Sequence, residues 1–198
     1  MSDPNAAAAR LRREGQPIGD VYLGRAEIAS RVAELGSEIA DVYDGRLPLL
    51  VAPLKSSAVF LADLSRALAI DHELDVIELA PYGSGRPGGG VRLLKDLDQS
   101  IEGRDVILVA DVVDTGLTLA FLTRTLSQRG PASIAAVTLL DRPYRRLVEN
   151  IGLEYVGFTV PDELFAGYGL GLEERWRALP DVRIIPAEAL PAAATDAA

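Results

Sequence analysis

Runs of uninterrupted apolar residues, each followed by a segment of helical spacing, restrict the fold of this chain more than any other feature. "LPLLVAPL" (Leu47 to Leu54), "DVIELA", "DVILVADVV", "SIAAVTLLD" and "YVGFTV" are apolar almost throughout, as strands buried on both faces are. Between them the period changes. "AEIASRVAELGSEIADVYDG" places Ile28, Val32, Leu35, Ile39 and Val42 three and four residues apart, with Gly45 as a stop. "SAVFLADLSRAL" does the same through Val59, Phe60, Leu64 and Leu68, and "TLAFLTRTLSQRG" reads as a third helix ending at Gly130. A last run, "DVRII", gives a sixth strand. Alternating strand and helix predict an α/β fold with a mostly parallel central sheet flanked by helices. Ligands of such sheets sit beyond the carboxyl ends of the strands, so the residues that follow each run carry the functional question.

At 198 residues and 48% hydrophobic content the chain is expected to form one domain with a sizeable core. Residues 19–188 are assigned to it, with residues 1–18 a disordered tail and "PAAATDAA" within a second one over 189–198. A net charge of −9 argues against a nucleic-acid partner, which requires a basic surface. The absence of cysteine excludes disulfides, thiolate nucleophiles and zinc-cysteine sites. The one histidine, His72 in "AIDHELD", reads as a surface loop residue. No apolar run has the length of a membrane span and no signal-peptide core opens the chain. The expectation is a cytoplasmic protein with no membrane partner.

After the third apolar run comes "VADVVDTGLT". Asp111 and Asp114 stand at the strand's end, and Thr115, Gly116 and Thr118 open the next helix. Unpaired N–H groups at a helix N-terminus, together with the macrodipole, favour an anion. Gly116 lets a phosphate approach the backbone, and the threonine hydroxyls add donors. The aspartates would repel that phosphate unless they bind a polyol or hydrated Mg²⁺. A phosphorylated sugar handled with a metal satisfies both halves; a solvated helix cap is the competing reading.

"VILVADVVDTGLTL", "LLVAPLKSSAVFLADL", "YGSG", "VRLLKDLDQSIEGRDVILV", "VTLLDRP" and "YVGFTVPDELFAGYGL" resemble, in order, the type I phosphoribosyltransferases, and among them the hypoxanthine-guanine branch. The resemblance runs from about Val21 to Ile185 and implies that family's fold, with a small hood formed by the N- and C-terminal segments. It implies a substrate, 5-phosphoribosyl 1-pyrophosphate (PRPP), whose 5′-phosphate would lie on Asp114, Thr115, Gly116, Leu117 and Thr118. Asp111 would meet the ribose hydroxyls, and Mg²⁺ through ribose or water. Asp114 would also handle the proton on the imidazole ring of the base. Lys55 and Ser56 match the pyrophosphate turn, which carries a non-proline cis peptide in the family, and Arg177 matches a second pyrophosphate ligand. Arg142 stands where a basic residue donates to the exocyclic oxygen of a 6-oxopurine. Leu164 holds the usual position of a stacking aromatic; its neighbour Phe165 either covers the base or packs in the core. Tyr82, Gly83, Ser84 and Gly85 would belong to a mobile flap. Homodimers or homotetramers are the expected assembly.

"YGSGRPGGG" satisfies G-x-G-x-x-G literally, yet Pro87 and extended "VRLL" follow instead of a helix, so a dinucleotide site fails its context. Departures from the family gather at the site. Ala110 replaces a glutamate, Gly171 an aspartate, Leu164 an aromatic residue, Ser56 a glycine, Pro81 a serine and Arg142 a lysine. The reading is a Mg²⁺-dependent transfer of phosphoribosyl from PRPP to a purine or purine-like base. A regulator that binds PRPP or a nucleotide without turnover, and a transferase with another heterocyclic acceptor, stay open alternatives.

Overall fold

The computed structural model describes residues 18–82, 90–172 and 174–186. The chain divides into two compact units, one of residues 31–161 and one of the two terminal segments, up to Ser30 and from Asp162.

The larger unit holds a six-stranded sheet in the order β4-β3-β2-β5-β6-β7, built from β2 (Leu49–Leu54), β3 (Glu73–Tyr82), β4 (Gly90–Lys95), β5 (Asp105–Val113), β6 (Ser133–Asp141) and β7 (Leu153–Thr159). All pairings are parallel except β3 with β4. Strand order reverses direction about β2 and β5. The crossovers β2–α2–β3 and β5–α3–β6 therefore place α2 (Ala58–Ala67) and α3 (Leu117–Ser127) on opposite faces, given right-handed connections. Central strands carry the core: Leu49, Val51, Val106, Leu108 and Ala136 are at most 1% exposed and pack with Leu119, Leu122 and Leu126 of α3.

Helix α1 (Arg25–Tyr43) follows the expected spacing, with Leu35 and Ile39 fully buried. The stripe ends differently from the sequence reading. Val42 is 54% exposed, and Tyr43 is buried in its place. Val59 likewise faces solvent at the start of α2 while Phe60 takes the core position. From α1, Arg31 donates through Nε to the Gly157 carbonyl at 3.1 Å and through Nη2 to Val156 at 2.8 Å, both on the edge strand β7.

The terminal unit contains a three-stranded antiparallel sheet of β1 (Val21–Leu23), β9 (Val182–Ile184) and β8 (Phe165–Ala166), with β9 in the middle. The last apolar run, "DVRII", therefore does not extend the parallel sheet. Its arginine, Arg183, is 1% exposed and forms a two-pronged pair with Asp181 at 2.8 and 3.0 Å. Ile18, Ala166, Trp176, Leu179 and Ile185 form this unit's own core.

Candidate active site

Strand β5 runs five residues beyond its pairing with β2, which stops at Val51 and Leu108 in the register; its pairing with β6 continues to Val113. Asp111 thus lies inside the strand, and only Asp114 lies past its end, a correction to the reading that put both at the terminus. Side chains alternate across a strand, so the adjacent Ala110 and Asp111 face opposite sides. Ala110 packs against the core cluster that includes Leu119 and Leu122 of α3. Asp111 turns toward α2, where its Oδ1 accepts a hydrogen bond from Ser57 Oγ at 3.0 Å. Ser57 Oγ also accepts the Asp111 backbone N–H at 3.2 Å. That N–H, beyond the end of the β2 ladder, obtains from a side chain the partner a buried amide requires. Ser57 precedes α2 but makes no side-chain bond to the helix's own amides.

After β5 the chain turns at Gly116, whose φ of +81° places the helix N-cap in the left-handed region, where glycine carries no steric penalty. The Thr115 hydroxyl accepts from the Leu117 N–H at 3.4 Å. A Cβ on Gly116 would lie 3.2 Å from Cδ of Arg146. Arg146 reaches from there to the Asp141 carboxylate at the end of β6, and the Leu147 N–H donates to the Thr115 carbonyl at 2.9 Å. The segment after β6 is thereby tied to the back of the Thr115–Gly116 turn. Sequence reasoning missed Arg146 and Ser57. The paired arginines of "RPYRR" and the paired serines of "LKSSA" were the available signals, and neither says which member turns inward.

Ser56, Asp111, Asp114, Thr115, Gly116 and Thr118 share one cleft of about 440 Å³ with Ala110, Leu79, Leu108, Leu119 and Leu122. Leu117 is 51% exposed beside it. Arg142, buried, donates from Nη1 to Asp114 Oδ2 at 3.3 Å. The other oxygen, Asp114 Oδ1, is buried with no hydrogen-bond partner among the described residues. The Leu54–Lys55 peptide is cis, as the resemblance implied; Lys55 itself is exposed. Of the flap, Tyr82 closes β3, and Gly83, Ser84 and Gly85 lie outside the described residues.

The remaining candidates belong to the terminal unit. Arg177 donates to the Gly169 carbonyl at 2.9 Å and to Glu174 at 3.2 Å. Gly171 is the seat of that arginine: a Cβ there would meet Arg177 Cγ at 2.8 Å and the Arg175 carbonyl at 2.7 Å. Phe165 pairs with Tyr22, ring centroids 5.2 Å apart, and Leu164 is 37% exposed.

A model of the phosphoribosyl transferase domain matches residues 22–170. The chain belongs to the phosphoribosyltransferase family. This phosphoribosyltransferase is 44% identical over 164 residues to the hypoxanthine phosphoribosyltransferase of Escherichia coli K12, covering 81% of its own length and 92% of the relative's. It is 41% identical over 169 residues to the hypoxanthine-guanine phosphoribosyltransferase of Mycobacterium bovis, covering 82% and 83% of the two chains. The crystal structure of a hypoxanthine phosphoribosyltransferase from Staphylococcus aureus superposes with a TM-score of 0.83 at 35% identity, over 88% of this chain and 95% of the other. Its sheet and helices are those of the type I fold. No helix among the described residues is long and apolar enough to cross a membrane.

Proposed function

We propose that this phosphoribosyltransferase moves the 5-phosphoribosyl group of PRPP to a ring nitrogen of a 6-oxopurine, hypoxanthine before guanine, and releases pyrophosphate. The observation that carries the reading is the buried, unpartnered Oδ1 of Asp114 beside the Thr115–Gly116 turn. An orphaned buried acceptor is costly, and a protonated ring nitrogen of a base satisfies it.

In this reading the N–H groups and hydroxyls of Thr115, Gly116, Leu117 and Thr118 hold the 5′-phosphate, and Asp111 receives the ribose hydroxyls. Lys55 and the Ser56 turn take the pyrophosphate. Arg142 donates to the exocyclic oxygen of the base. The C1–O bond to pyrophosphate breaks with its electron pair on the leaving group. A base nitrogen forms the new bond to C1, and the base gives up one proton to Asp114. An oxocarbenium-like state of this kind is reached mainly through positioning and charge stabilisation.

No cluster of three or more acidic or histidine side chains suited to a metal occurs among the described residues. The donor set is one or two carboxylates in a phosphate-binding cleft. That suits Mg²⁺, which keeps most of its waters and binds through few carboxylates plus substrate phosphates. Asp111 would hold it through ribose or water, and when bound it would neutralise the pyrophosphate. Preference for hypoxanthine follows from Gly171, which offers no carboxylate to a 2-amino group. We infer a cytoplasmic homodimer or homotetramer. Purified protein with PRPP, Mg²⁺ and a panel of bases is expected to yield pyrophosphate and a nucleotide with hypoxanthine, and Asp114→Asn is expected to lower kcat at least about 100-fold. No turnover with any base overturns the reading.

A further inference from the structure

The segment that follows β6 holds four consecutive residues between the end of β5 and the start of α3. The Arg142 N–H donates to the Val113 carbonyl at 2.9 Å, and its guanidinium donates to Asp114 Oδ2 at 3.3 Å. The Leu147 N–H donates to the Thr115 carbonyl at 2.9 Å. A Cβ on Gly116 would stand 3.2 Å from Arg146 Cδ and 3.4 Å from Ile151 Cγ2. To reach both ends of that stretch, so short a segment must fold back on itself. A 3-10 turn over Pro143–Arg145 begins the bend, and a side-chain pair closes it. Arg146 Nη2 donates to the Asp141 carboxylate, both side chains being more than four-fifths buried. Arg146 Nε is buried with no hydrogen-bond partner among the described residues. An orphaned N–H is a cost that an apolar side chain of similar length would not carry, so packing alone does not account for an arginine here.

We propose that Arg146 is a positioning residue for the sugar 5′-phosphate: clamped to Asp141, it holds the Thr115–Gly116 turn in the shape that receives that group. The inference rests on the phosphoribosyl-transfer reading, which puts the phosphate on this turn. Arg146 is not among the residues that line the cleft; it acts from behind, through the turn, and not as a ligand. Donors already in place bind without reorganisation, and a displacement of about 1 Å can cost on the order of 100-fold. Asp114 keeps its own tie to Arg142, so loss of Arg146 falls on phosphate binding and leaves the proton step in place.

Calorimetry with ribose 5-phosphate, and steady-state rates with PRPP, Mg²⁺ and hypoxanthine, test this. Arg146→Met keeps methylenes beside Gly116 and removes the clamp. The double variant Asp141→Asn, Arg146→Met also leaves no buried charge unpaired, which protects folding. Both are expected to raise the Kd for ribose 5-phosphate and the Michaelis constant for PRPP at least about tenfold. Values of kcat and of the Michaelis constant for hypoxanthine are expected to stay within about threefold of the parent. Arg146→Lys, which keeps a cation facing Asp141, is expected to hold ribose 5-phosphate within about threefold of the parent. A rise in Kd below about tenfold in the folded double variant overturns the inference and leaves the transfer reading intact. So does a fall in kcat as large as the rise in the PRPP constant, or a lysine variant no better than the methionine one. Failure of the parent to bind ribose 5-phosphate overturns it as well, and with no turnover of any base the transfer reading falls too.

Discussion

Ser57→Ala removes two hydrogen bonds with one atom, and the structure allows its effect to be worked out. The hydroxyl donates to a carboxylate at 3.0 Å and accepts a strand N–H at 3.2 Å, and Ser57 is fully buried. A bond to a charged acceptor contributes about 1.5–3 kcal/mol, and a buried N–H left without a partner costs roughly 1–3 kcal/mol. Removing an oxygen from a packed site opens little void, so the lower halves of both ranges give a loss of about 3 kcal/mol. In a domain of this size each kcal/mol shifts Tm by about 2–4 °C, so a fall of about 6–12 °C is expected in calorimetric melts. The Michaelis constant for PRPP is expected to rise at least about tenfold, because Asp111 loses the group that aims it. Ser56→Ala, one residue earlier and half-buried on the cleft wall, is expected to stay within about 0.5 kcal/mol of the parent. A Tm shift below about 2 °C for Ser57→Ala, or an equal shift for the two variants, would refute the bridge between α2 and β5.

Gly116→Ala forces a left-handed φ of +81° and a contact at 3.2 Å onto Arg146; a stability loss of about 1–2 kcal/mol is expected, with a PRPP Michaelis constant raised at least about fivefold, and an unchanged constant would remove the turn from phosphate binding. Gly171→Asp is expected to lower stability by about 1–3 kcal/mol through overpacking and to leave kcat/KM for guanine no better, because its Cβ meets Arg177 Cγ at 2.8 Å; melts and steady-state rates check both. The Arg129 guanidinium, hydrogen-bonded to Asp96, holds that carboxyl below the usual aspartate range. A depressed pKa stabilises above the ordinary value of about 3.9 and is lost as pH falls through the folded-state value. With both partners about a third to half exposed the pair contributes at most about 1 kcal/mol. Arg129→Gln is accordingly expected to flatten the fall of Tm below about pH 4, and an unaltered slope would count against the pair.

What the sequence disclosed follows from the range of the forces involved. Strands β2, β5 and β6 are legible because burial on both faces leaves a continuous apolar run, and the Thr115–Gly116 turn because a left-handed N-cap selects glycine. Strands β1 and β8, of three and two residues, are set by pairing with β9, which for β1 comes from the far end of the chain, and no local pattern marks so short an element. Val42 and Tyr43 both fit the end of a helical stripe, and only the neighbours that receive the side chain decide which is buried. Ser57 is the clearest case. Its partner is 54 residues away, and in "LKSSA" its identity is indistinguishable from that of Ser56. That Ala110 and Asp111 point apart, by contrast, is strict strand alternation, available to a reader once β5 is known to continue past Ala110.

An open sheet has two borders, and each is a surface on which a stray extended segment can crystallise a growing ribbon. At β7 the Arg31 guanidinium holds the carbonyls of Val156 and Gly157 and is itself held by Glu34 and Glu38. An incoming strand would have to displace a charged, already satisfied fork before forming its first rung. The protein should therefore tolerate high concentration and repeated partial opening at that border, and Arg31→Ala should show its effect less in the melting curve than in turbidity on prolonged storage.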